Sequence, residues 1–108
     1  MDIQLRDDFL NYVDEELKQV DVRATDATRH LLALSLQTQL VERRGRWRNA
    51  NRTEEEFIRA GRRLLRHILT TDAEIQAEIA LHNEIRFNNM LRALVTNGLH
   101  VFPCSPND

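Results

Sequence analysis

At 108 residues the chain is close to the common domain size and too short for two ordinary cores, so a single domain over residues 1–108 is expected. Apolar residues at 42% and charged residues at 30% exclude the low-hydrophobicity composition of a disordered chain, and only three Gly and two Pro interrupt it. A net charge of −2 hides strong segregation: residues 1–26 hold eight acids against three bases, residues 27–66 ten arginines against four acids, and residues 67–108 five acids against two arginines.

The first element, predicted over residues 3–20, places Ile3, Phe9, Leu10, Val13, Leu17 and Val20 at helical spacing with Asp2 as the N-cap. Asp7, Asp8, Asp14, Glu15 and Glu16 fall on its outward side, the usual pattern of a solvated face. The second element, over 24–46, carries two periods at once. Leu32, Leu34, Leu36 and Leu40 alternate with Ala33, Ser35, Gln37 and Gln39 as in a strand, while Ala27, Leu31, Leu34 and Val41 satisfy a helix. Leu, Ala and Gln favour helix and Thr38 is the sole β-branched residue between Leu31 and Val41, so a helix is expected, with leucines on more than one face and hence several packing partners.

A third helix over 54–70 opens on the capping box Thr53-Glu54-Glu55-Glu56 and lines Phe57, Ile58, Leu64, Leu65, Ile68 and Leu69 on one face, with Gly61 leaving room there for another backbone. A second capping box, Thr71-Asp72-Ala73-Glu74, starts a fourth helix over 72–97, closed by Gly98 at the left-handed C′ position. Its apolar residues, Ile75 through Val95, spread too widely for one stripe, which suggests a homodimer contact. Residues 99–108, holding Pro103 and Pro106, read as an extended tail. The expected fold is therefore all-α, a compact bundle of about four helices.

Cys104 is the lone cysteine, and no basic-plus-apolar leader opens the sequence, so a cytoplasmic setting is expected. The longest apolar stretch, residues 31–36, already contains Ser35 and is far below the roughly 20 residues that span a bilayer, and no membrane association is expected.

The most unusual feature lies between the second and third helices, where Arg43, Arg44, Arg46, Arg48 and Arg52 surround Trp47. Guanidinium groups bind phosphate or carboxylate in bidentate fashion, and an indole stacks or anchors an interface. Arg59, Arg62, Arg63 and Arg66 on the third helix extend the patch. Two structural duties compete with a binding role: arginines late in a helix complement its C-terminal dipole, and the acidic first helix can pair with this basic face, within the fold or across a dimer. A sequence pI of about 6.1 argues against a nucleic-acid footprint.

Other constellations are sparse. Glu74, Glu78 and His82 step by four as metal ligands on one helix face would, but no histidine has the Glu-x-x-His spacing of bundle carboxylate sites, and His100 with Cys104 supplies two zinc ligands where four are needed. No phosphate loop, nucleophile elbow or HExxH motif occurs, and Ser35 and Ser105 are the only serines. The expectation is a non-enzymatic regulatory or adaptor protein, without cofactor or metal, that binds a protein partner through the Arg/Trp linker and the basic face of the third helix. Nucleic-acid binding through the same residues is the alternative.

Overall fold

A computed structural model describes residues 4–44 and 54–97, and the side chains of all of these except 41–44. Among the described residues there are five helices and no strand: α1 Asp7–Leu17, α2 Asp26–Arg44, α3 Glu54–Thr71, α4 Ala73–Ala80 and α5 Glu84–Thr96. None is long and apolar enough to cross a membrane. The tail 99–108, the closing Gly98 and the capping residues Asp2 and Thr53 lie outside the described residues.

The first helix begins four residues later than its apolar spacing predicts. Segment 4–6 is instead held extended by Gln37 of α2, whose Oε1 accepts from the Arg6 N–H at 2.7 Å and whose Nε2 donates to the Gln4 carbonyl at 2.8 Å. With those backbone groups satisfied, the chain has no need of a helical turn there. Asp8 Oδ1 accepts from the Phe9 N–H at 3.0 Å, and Arg6 bridges Asp8 and Glu54 at 2.7 and 2.8 Å, so acids gather where α1 and α3 begin.

The alternation in residues 32–40 is helical. Thr25 caps α2, its Oγ1 accepting from the Thr28 N–H at 3.3 Å, and buried Leu32, Ala33, Leu36 and Leu40 form the inner face. Buried Gln37 and Gln39 explain the false strand period: amides with partners take inner positions that hydrophobicity alone would leave polar and exposed. Helix α2 packs on α1, α3 and α5, which is why leucines occupy more than one of its faces. It runs antiparallel to α1, with Gln37 meeting Gln4 at one end and Arg29 meeting Asp14 at 3.2 Å near the other.

Gly61 of α3 faces Leu36, and a Cβ built there would lie 2.4 Å from Leu36 Cδ1. The room left by this glycine is filled by a side chain, not by the backbone that the sequence suggests. The cap between α3 and α4 is one residue later than predicted. Asp72 is the N-cap, with Oδ1 accepting from the Glu74 and Ile75 N–H groups at 3.0 Å each, while Thr71 stays in α3 and donates its hydroxyl to the His67 carbonyl at 2.6 Å. A carboxylate can accept both bonds at once, which a hydroxyl pointing back along its own helix cannot.

The single fourth helix is two. After Ala80 the Asn83 N–H bonds the Glu78 carbonyl and the His82 N–H bonds the Ile79 carbonyl, both at 3.0 Å, which is a Schellman closure with His82 at C′ and φ +53°. Asn83 then caps α5, accepting from the Arg86 N–H at 3.3 Å. No Gly or Pro marks this break, and the broad apolar spread belongs to two shorter helices. Ile75, Phe87 and Leu91 enter the core, Ile79, Met90, Leu94 and Val95 pack half-buried against it, and Leu81 and Ile85 at the joint are 72% and 76% exposed. Because histidine is strained in the left-handed region, His82→Gly is expected to raise the unfolding free energy by about 1 kcal/mol in urea titration. A loss of stability would show that the His82 side chain holds the turn.

The core is built around α2, on which α1, α3 and α5 pack, with Phe9, Phe57, Phe87, Leu40 and Leu91 fully buried in it together with Ile75 of α4. Buried Asn88 of α5 serves the loop between α1 and α2. Its Oδ1 accepts from the Thr25 N–H at 2.8 Å, and its Nδ2 donates to the Arg23 and Glu84 carbonyls at 3.0 and 2.7 Å.

Candidate functional site

Arg46, Trp47, Arg48 and Arg52 lie outside the described residues, and Arg43 and Arg44 end α2 with side chains that are likewise outside them. The four arginines of α3 are described, and they divide into two pairs.

Arg62 and Arg66 turn towards α1. Arg62 Nη2 meets Glu15 Oε2 at 2.6 Å and its Nε meets Glu16 Oε1 at 3.2 Å. Arg66 grips Glu16 with two parallel bonds, Nε to Oε2 at 2.9 Å and Nη2 to Oε1 at 2.7 Å. The Glu16 side chain is 1% exposed. Hydrogen bonding by Arg66 holds its carboxyl below the ordinary 4.5; burial opposes that shift and Arg62 reinforces it. Arg62 also lies 5.5 Å above the Tyr12 ring, which meets Phe9 edge-on at 6.1 Å, so the guanidinium is fixed from two sides.

For these two arginines the charge segregation is settled inside the fold, as one of the structural duties required. Reading the α1 acids as a solvated face fails at Glu16 and at half-buried Asp14, which pairs with Arg29. A signal for Glu16 was present, because it stands four and seven residues after neither a polar nor a random position but after Tyr12 and Phe9, and three after buried Val13. A carboxylate on a helix's inner stripe, opposite arginines spaced by four, is the pattern of a buried ion pair.

Arg59 and Arg63 are exposed, and their side chains make no hydrogen bond or ion pair among the described residues. All four arginines, with Glu55, Ile58 and Tyr12, line an open cleft of about 490 Å³ along the seam of α1 and α3. Tyr12 and Ile58 supply an apolar floor that sequence reasoning did not assign to the site. The arrangement offers two free guanidinium forks one helical turn apart, beside two more held rigid by carboxylates. Guanidinium forks so placed can donate paired hydrogen bonds to carboxylate or phosphate oxygens.

The Glu74, Glu78 and His82 spacing does not form one face, because α4 ends at Ala80. Glu74 is exposed, and buried Glu78 lies with Oε1 3.5 Å from Arg86 Nε. No cluster of three or more His, Cys, Asp or Glu is placed to hold a metal among the described residues. Ser35 sits within α2, where its hydroxyl accepts from Gln39 Nε2 at 3.3 Å.

Comparison with known proteins returns no match: no family model, no curated protein and no solved structure matches this chain.

Proposed function

We propose that this chain is a small non-enzymatic adaptor or regulatory protein that docks an acidic surface of a protein partner on the arginine face of α3. The observation that carries this reading is the division of the four arginines. Arg62 and Arg66 are spent on Glu15 and Glu16, which fixes the walls of the cleft, while Arg59 and Arg63 are left exposed and without partners among the described residues. An open cleft with an apolar floor suits a protein surface, where a central apolar contact and flanking arginines supply most of the binding energy.

A polyanion is the weaker candidate. Glu15 and Glu16 neutralise two of the four arginines and Glu55 lines the same cleft, so the local excess of positive charge is small. Arg43 and Arg44 at the end of α2, with Arg46, Trp47, Arg48 and Arg52 of the linker, would extend the docking surface. Leu81 and Ile85 are the exposed apolar side chains through which self-association would run.

Arg59→Ala with Arg63→Ala is expected to leave the fold intact, since both side chains are exposed, and to weaken partner capture from a nuclease-treated lysate at least about tenfold. Unchanged capture by the variant would return α3 to a structural role. Capture that vanishes on nuclease treatment, with an apparent affinity that falls steeply with salt, would replace the protein partner with nucleic acid.

A further inference from the structure

The arginine cleft does not stop at Arg66. The same side chain forms a wall of a second cleft of about 300 Å³, floored by Val20, Leu69 and Ile79 and edged by exposed Gln19, Thr70 and Gln76. The two clefts together follow α3 from Glu55 to Thr70, about 22 Å at the helical rise. Their characters differ. At one end Arg59 and Arg63 are without ion-pair partners among the described residues and outnumber the one acid there that is not held in an ion pair with Arg62 or Arg66, Glu55. At the other, Arg66 is tied to Glu16 and the cleft is bordered by Asp21, which would repel a carboxylate.

Taking the docking reading above as its premise, we infer that the seam between α1 and α3 receives one amphipathic helix of a partner protein, about four turns long, with its acids and its apolar anchor at opposite ends. Carboxylates one turn apart meet Arg59 and Arg63, whose own spacing of four matches them. About two turns further along, a leucine-sized side chain enters the cleft above Val20, Leu69 and Ile79. Charge complementarity sets the orientation: the acidic end cannot lie over Asp21, and an apolar end gains nothing over two free guanidinium groups. The docked helix is therefore read in one direction only.

The probes are two fluorescein-labelled helical peptides of about 16 residues and identical composition. In one, two glutamates four apart are separated by two turns from a pair of leucines; in the other, the same residues are interleaved along the helix. Titrated with the intact chain and followed by anisotropy, the segregated peptide is expected to bind at least about tenfold tighter than the interleaved one. Thr70→Arg, which fills the second cleft from an exposed position, should abolish that preference, as should Arg59→Ala with Arg63→Ala, both variants being checked for native helicity by circular dichroism. Equal binding of the two peptides, or no binding of either below about 1 mM, overturns the inference. If Thr70→Arg is without effect while the double arginine variant loses both peptides and the lysate partner, docking on α3 stands and the directional helix falls. If the arginine variant changes neither peptide binding nor partner capture, the docking reading itself is wrong.

Discussion

Phe87→Ala is expected to lower the unfolding free energy by about 3–5 kcal/mol, among the largest effects of any single truncation in this chain. Phe87 is fully buried and is the main apolar anchor of α5, which packs on α2 and α4. Its neighbour Asn88 makes the bonds that tie α5 to the loop before α2, so a cavity at Phe87 also loosens a buried polar junction. At roughly 4–8 °C per kcal/mol for a domain of about this size, the thermal midpoint should fall by more than about 10 °C. Leu81→Ala is the control, because that side chain is 72% exposed and its loss should change stability by no more than about 0.5 kcal/mol. Urea titration of both variants decides the matter: comparable losses would mean that α5 is not seated on the core as described.

Glu16→Gln is the second large effect, expected at about 2 kcal/mol at neutral pH. The amide keeps the shape of the side chain but removes the charge that Arg66 grips with two bonds and Arg62 with one. The cost stays below that of breaking a fully buried pair because the Arg62 and Arg66 side chains are 30% and 58% exposed and can rehydrate. Its pH dependence has a definite sign. The folded-state pKa of Glu16 is depressed, so its contribution is complete above the ordinary 4.5 and is lost as pH falls through the lower folded value. The stability gap between wild type and variant should therefore be constant near neutrality and close on acidification below about 4.5. A gap unchanged between pH 7 and pH 3 would mean that shape, and not ionisation, is what Glu16 contributes.

Helical character was readable because it depends on local composition: Leu, Ala and Gln decided residues 32–40 against their strand-like alternation, and the acid-rich start of α3 was marked by its own sequence. Features set by tertiary contact were less so. Nothing local to residues 4–6 announces that Gln37, more than thirty positions away, will hold that segment extended. The break at His82 was hidden for a related reason, since its closing bonds are backbone to backbone and the residue at C′ is not the glycine or asparagine that would have signalled it. Of the candidate site, the arginines of α3 could be named from their spacing, and pairing with the acidic first helix was among the alternatives. Which two would be neutralised turns on Glu16 facing inward from α1, a placement that its spacing from Phe9, Tyr12 and Val13 carries but that the run of acids around it masks.

The bonds of Asn88 bear on the order in which the chain can mature. The loop that joins the first two helices leaves the Thr25 N–H and the Arg23 carbonyl to be satisfied from more than sixty residues downstream. During synthesis, at roughly 5–20 residues per second, the α1–α2 hairpin must wait several seconds with that corner open to water until α5 emerges and docks. The hairpin is thus a provisional structure, and the last described helix turns it into a finished one.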